Sequence, residues 1–82
     1  MREFTVVFDS VKDIAEFVLV ANRQPFHVQI VHQDSVFDAK SLLSLFCLEL
    51  HCPLTVRIPE SSADTTQFRR DCAPYLVGSM PA

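Results

Sequence analysis

Glycine is almost missing from this chain. A single residue, Gly78, leaves no glycine-rich loop of the kind that cradles a nucleotide phosphate. Basic residues are also few and scattered. Seven Lys and Arg stand against ten Asp and Glu, for a net charge of −3, and Arg69-Arg70 is the only adjacent basic pair, so no nucleic-acid-binding face is expected. The opening "MREFTVVFDS" has an acidic residue straight after its Arg and only a brief apolar stretch, the wrong order for a signal or transit peptide. A cytoplasmic location without membrane association is the expectation. Cysteine occurs as an odd set, Cys47, Cys52 and Cys72, which does not suggest a disulfide framework. Reduced thiols serving as small core residues are expected.

What is present is ordinary globular material. Hydrophobic residues make up 49% of the chain and charged residues 21%, close to ordinary globular usage, which argues against disorder and against a membrane span. At 82 residues there is room for one domain, 1–82, burying roughly 60–65% of the surface its unfolded form exposes. No linker, repeat or low-complexity stretch divides it.

Strand-like and helix-like patterns alternate along the chain. In "REFTVVFD", Phe4, Val6 and Phe8 share one face and Thr5, Val7 and Asp9 the other, the period of a half-buried strand. Ser10 with Asp13 three residues on predicts a capped helix start, followed by a stripe of Val11, Ile14, Ala15, Val18 and Ala21, with Phe17 and Leu19 at its margins. Asn22 and Gln24-Pro25 supply the stop. Residues 27–38, "HVQIVHQDSVFD", predict a hairpin turning at Gln33-Asp34-Ser35, and "LTVRI" after Pro53 predicts a fourth strand. A last helix with Ser61 or Ser62 as its cap buries Phe68 and Cys72, and Pro74 either ends it near Ala73 or kinks it so that Tyr75-Leu76-Val77 folds back. The order strand, helix, strand, strand, helix, strand, helix calls for an α+β fold: one four-stranded antiparallel sheet with three helices on one face, an open-faced β-sandwich.

That order, together with "SVFDAKSLLSLFCLEL" running through a short loop into "LTVRI", resembles the histidine-containing phosphocarrier protein (HPr) family of the bacterial sugar phosphotransferase system. The resemblance covers roughly residues 3–77 and implies an HPr-like fold. It also implies where a phosphoryl-accepting site should lie. The family motif of Gly, an aliphatic residue, His, Ala, Arg and Pro falls on "FDSVKD", residues 8–13, which puts Ser10 at the histidine position and Lys12 at the arginine position, with glycine and proline gone. Ser10 and Lys12 therefore mark a degenerate acceptor site. A serine phosphate ester is far more inert than a phosphorylated imidazole, and Asp9 and Asp13 add negative charge where a helix start would otherwise welcome phosphate. His27 and His32 fall in or beside the hairpin and His51 in the loop before the last strand, so none of the three is expected at this junction. A structure placing one of them at the leading tip of the first helix would end the reading of the chain as a non-catalytic member of the family.

Ser41 matches the family's regulatory serine, which a dedicated kinase phosphorylates in many Gram-positive bacteria. It stands where the second helix should begin, so a phosphate there would add about −2 charge beside Leu42, Leu43 and Phe46. If Leu45 and Leu48 point inward, the other apolar residues of this turn form an exposed patch of the kind that marks partner sites. In the family this turn docks onto enzyme I, permease domains and a transcriptional regulator. The competing reading has all of them in the core and Ser41 as a helix cap only.

Two further constellations carry little. Cys47, His51 and Cys52 form C-x3-H-C, with His32 or Cys72 as a fourth zinc ligand, but adjacent His51-Cys52 is an awkward pair, and core packing of Cys47 is preferred. Ser10 or Cys52 with a neighbouring histidine is all an enzyme could use, residue types too common to argue from. Arg69-Arg70 reads as a solvated helix face. The expectation is a non-catalytic, HPr-like regulatory or adaptor domain without metal or cofactor. Leu42, Leu43 and Phe46 would bind protein partners, namely phosphotransferase-system enzymes, a serine kinase or a transcriptional regulator, with Ser41 phosphorylation as the control. The alternative is a phosphocarrier using an unrecognised acceptor.

Overall fold

The computed structural model describes residues 2–60 and 63–76. Its elements follow in the expected order: β1 (Arg2–Val6), α1 (Val11–Asn22), β2 (Gln29–His32), β3 (Ser35–Asp38), α2 (Leu42–Leu45), β4 (Leu54–Ile58) and α3 (Thr66–Asp71), with a 3₁₀ turn over Ala73–Tyr75. The four strands form one antiparallel sheet in the order β1-β4-β2-β3. Because β4 slots between β1 and β2, the last strand of the chain is central. Its neighbours on both sides were laid down before α2.

Strand alternation sorts the sheet into two faces. Val6 pairs with Leu54, and Phe4, Val56, Ile30 and Phe37 follow one another across the sheet, in rows that turn toward the helices. The opposite face carries Thr5, Thr55, Val31 and Val36 in one row and Glu3, Arg57, Gln29 and Asp38 in the next. Within that second row Arg57 Nε donates to Glu3 Oε2 at 2.9 Å. This is the α+β open-faced β-sandwich, with its three helices packed on the sheet around one hydrophobic core.

The centre of the core is aromatic. Phe8 and Phe17 stand 5.2 Å apart between centroids, Phe8 and Tyr75 5.6 Å, and Phe4 and Phe26 each meet the edge of Phe68 at 5.9 and 5.8 Å. Tilted and edge-on pairs of this kind stabilise beyond simple area burial. The α1 stripe is turned slightly from its expected position. Ile14, Phe17, Val18 and Ala21 are buried, whereas Val11 is exposed, so Phe17 belongs to the centre and not the margin. The rings of Phe8, Phe68 and Tyr75 decide this, since only a large flat side chain fills the space between them.

At its start α1 behaves as its sequence demands. Ser10 is in extended backbone and its Oγ accepts from the Asp13 N–H, while Asp13 Oδ2 accepts from the Asp9 N–H. The far end is tied to the chain before α2: Lys40 Nζ donates to the Gln24 carbonyl at 2.8 Å, and Asn22 Nδ2 donates to the Val18 and Lys40 carbonyls.

The last helix departs from expectation at its beginning. It starts at Thr66 after a buried Thr65, with Asp64 Oδ1 accepting from the Thr66 N–H; Ser61 and Ser62 lie outside the described residues. That bond, made from both backbone and side chain of Thr66, lowers the Asp64 pKa. Proline acts in both of the anticipated ways. The α-helix stops at Asp71, and Pro74 sits in the 3₁₀ turn that carries Tyr75 and Leu76 back, where the Tyr75 carbonyl accepts from the Val7 N–H at 2.9 Å and Leu76 bridges to Val6. Burial raises the Cys72 thiol to about 12, with Asp71 adding to it, and burial also raises the Tyr75 hydroxyl to about 12, helped by its hydrogen bond to Glu16.

Among the described residues no helix is long and apolar enough to cross a membrane.

Candidate functional site

Two places singled out from the sequence lie on the helical layer: the junction of β1 with α1, and the turn that contains α2. At the junction, Ser10 is committed to its cap and Lys12 is exposed on the first turn of α1. The surprise is His51. Its N–H donates to the Phe8 carbonyl at 2.8 Å, and its Nδ1 lies 3.3 Å from Asp9 Oδ1, with both side chains exposed. The expectation that no histidine reaches this junction is therefore corrected. His51 takes a left-handed backbone (φ 62), a conformation histidine adopts more readily than most residues. That turn lets the loop after α2 hook onto the end of β1, a contact of more than forty residues' separation in the chain and invisible to local patterning.

The other two histidines stay away from the junction. His27 is exposed, its N–H donating to Glu60 Oε1, and His32 ends β2 with Nε2 3.4 Å from Glu49 Oε1.

The α2 turn answers which of its apolar residues are core. Leu45 is fully buried and Leu48 nearly so, whereas Leu42, Leu43 and Phe46 are 37%, 79% and 47% exposed. A helix of only four residues has one inward position per turn, and Leu45 takes it. The reading that places all of these residues in the core is overturned. Cys47, expected in the core, is exposed as well; Cys52 is half-buried, and only Cys72 fits the small-core-residue role.

Ser41 occupies the N-cap position of α2 in extended backbone, but its side chain makes no capping bond. Instead Ser44 Oγ donates to Ser41 Oγ at 3.1 Å. Its backbone is held by the preceding turn, where the Ser41 N–H donates to the Asp38 carbonyl and Asp38 Oδ1 accepts from the Lys40 N–H. So the hydroxyl is half-buried, positioned and not needed to cap the helix. Because α2 is one turn long, little aligned peptide dipole stands behind it, so this helix start attracts phosphate only weakly.

No family model, curated protein or solved structure matches this chain.

A shallow pocket lined by His27, Val28, Gln29, Val36, Phe37 and Asp38 lies at the β2-β3 hairpin and includes no residue of either place. The α2 turn offers the exposed apolar side chains of Leu42, Leu43 and Phe46. Exposed apolar side chains gathered in this way suit contact with another macromolecule. Arg69-Arg70 lie exposed on α3, as expected, and the Arg69 guanidinium stacks 5.2 Å over the Phe4 ring.

Proposed function

We propose that this chain is a non-catalytic, HPr-like adaptor of the sugar phosphotransferase system, binding a protein partner through Leu42, Leu43 and Phe46, with phosphorylation of Ser41 as its control. The observation that carries the reading is the exposure of three large apolar side chains on one short turn, against a single buried one, Leu45. A phosphate on Ser41 brings about −2 charge to the edge of that surface and would disfavour an apolar partner. The hydroxyl can take it without loss of a helix cap, since it makes no capping bond.

The test pairs HPr-type partners with two variants. Enzyme I or an HPr serine kinase should bind the wild-type chain, and Leu43→Ser with Phe46→Ser should abolish binding while the far-UV circular dichroism stays unchanged. Incubation with the kinase and ATP should add one phosphate, lost in Ser41→Ala. A double variant that unfolds, or one that binds as tightly as wild type, removes the surface from consideration.

His51 stands against Asp9, the residue just ahead of the Ser10 cap, so the adaptor reading holds only if His51 takes no phosphoryl group; the second reading is a phosphocarrier whose acceptor is His51 in place of Ser10. Its imidazole stands against Asp9 at the β1-α1 junction. Against that role, Asp9 and Asp13 both present carboxylates there, and Lys12 is the one cationic side chain in the segment 8–13. Incubation with enzyme I and phosphoenolpyruvate separates the readings. An acid-labile adduct mapped to His51 by mass spectrometry and lost in His51→Ala establishes the carrier; its absence leaves the adaptor.

A further inference from the structure

The adjacent pair His51-Cys52 is awkward for one metal, and the fold separates it. His51 goes to Asp9, while Cys52 turns to the other side of the loop toward His32 and Glu49. One donor atom from each of His32, Glu49 and Cys52 lies within 4.8 Å of the other two. We propose that these three residues form a binding site for a divalent zinc-class ion, with a fourth coordination position left open.

One strand end and two loop segments build the cluster. His32 is the last residue of β2, one step beyond the Val31–Thr55 pair, and Cys52 lies two residues before β4, the strand beside β2. Pairing of β2 with β4 therefore brings the end of β2 beside the segment that leads into β4. Glu49 comes from the turn after α2, which the hydrogen bond from His51 to the Phe8 carbonyl pins against the sheet end. The three are separated by up to twenty residues in the chain, and strand order brings them together.

The donor chemistry suits zinc. A thiolate, an imidazole and a carboxylate are its usual ligands, and bonds of about 2.0–2.3 Å in a tetrahedron place donors about 3.3–3.6 Å apart. His32 Nε2 and Glu49 Oε1 are already at 3.4 Å, so only the thiol has to close in. Among the described residues the thiol's hydrogen-bond partner is the Pro53 carbonyl at 3.8 Å, a long contact that opposes this little. On binding, the Cys52 Sγ–H proton leaves to solvent and an S–metal bond forms, so that thiolate and carboxylate together balance the two positive charges of the ion. Three protein ligands and an open place are the pattern of a site that takes a water or a group from a partner as its fourth ligand. Harder ions such as Mg²⁺ and Ca²⁺, which prefer oxygen alone, are disfavoured by the sulfur and nitrogen.

The test is titration of the reduced, metal-free chain with Co²⁺, followed by displacement with Zn²⁺. One Co²⁺ per chain is expected, with a near-ultraviolet thiolate charge-transfer band and the strong visible bands of tetrahedral coordination, both erased by Zn²⁺. Cys52→Ser should remove the charge-transfer band. His32→Ala and Glu49→Gln should each weaken binding beyond the roughly 10–100-fold that loss of a supporting outer group causes. Cys47→Ser should leave the spectrum unchanged. Zn²⁺ should also raise the unfolding midpoint of the wild-type chain and not that of Cys52→Ser. Circular dichroism checks each variant, and the nearly isosteric Cys52→Ser carries the test if His32→Ala does not fold. Failure to bind one equivalent at micromolar metal overturns the site. So does a charge-transfer band that survives Cys52→Ser, or affinity indifferent to either His32→Ala or Glu49→Gln.

Discussion

The turn into α1 and the turn into α2 both begin with a serine in extended backbone, and the two hydroxyls are put to different uses. Ser10 Oγ accepts from the Asp13 N–H and so starts a helix of twelve residues, which buries Ile14, Phe17, Val18 and Ala21. Ser41 Oγ accepts from Ser44 Oγ and makes no capping bond, and the four-residue helix behind it buries Leu45 alone. The difference follows from length. Three turns offer a continuous stripe to the core and justify a cap, whereas a single turn offers one inward position and turns its remaining leucines outward. A residue type that is structural at one helix start is therefore available at the other.

The largest effect that tests this contrast lies within α2 itself. Leu45→Ala should lower stability by about 2–5 kcal/mol because it leaves a cavity under the turn, while Leu43→Ala should stay within about 0.5 kcal/mol. Denaturant unfolding with matched slopes measures both. Equal losses at the two positions would erase the distinction between the buried and the outward leucine.

Next comes alkaline pH, which acts on the junction side of the molecule. Tyr75 packs on Phe8, its carbonyl holds Val7, and its hydroxyl is raised to about 12; buried Cys72 is raised to about 12 as well. Both groups are neutral in the fold and lose their protons more easily in the unfolded chain, where the ordinary values are 10.0 and 9.0. Their contribution is whole below about pH 9 and is lost as pH rises toward 12. The unfolding midpoint should drop by several degrees across that window, given roughly 4–8 °C per kcal/mol for a domain of this size. Tyr75→Phe should blunt the part of the fall above pH 10. A midpoint indifferent to pH between 9 and 12 contradicts the burial of both groups.

The smallest effect separates the two serines directly. Ser10→Ala should lower stability by about 1 kcal/mol through loss of its cap, and Ser41→Ala by no more than a few tenths. If the two losses match, the Ser41 hydroxyl does cap α2 in solution, and its availability for modification falls away.

Much of the architecture was legible from patterning. Period-two alternation placed Phe4, Val6, Leu54, Val56 and Ile58 on one face, and the Ser10–Asp13 spacing located the start of α1. The greasy turn was legible too, because four apolar residues exceed what one helical turn can cover. Other features were not. Phe17 moved from the stripe's edge to its centre because the rings of Phe8, Phe68 and Tyr75 surround it, and Cys47, apolar by type, faces out because Leu45 and Leu48 fill the space beneath the turn. Ser61 and Ser62 as caps fall outside the described residues, and the helix begins later, at Thr66.

Local order alone determined the four strands and three helices of the described residues, where α1 begins, and that the α2 turn has apolar side chains to spare. Those properties depend on neighbours a few residues apart, and the periods of strand and helix record them. Tertiary structure alone decided that β4 lies between β1 and β2, and with it the placing of His51 against Asp9 and of Cys52 beside His32 and Glu49. Strand order is chosen by the summed burial of a whole sheet, so groups far apart in the chain meet without any mark in the residues that separate them.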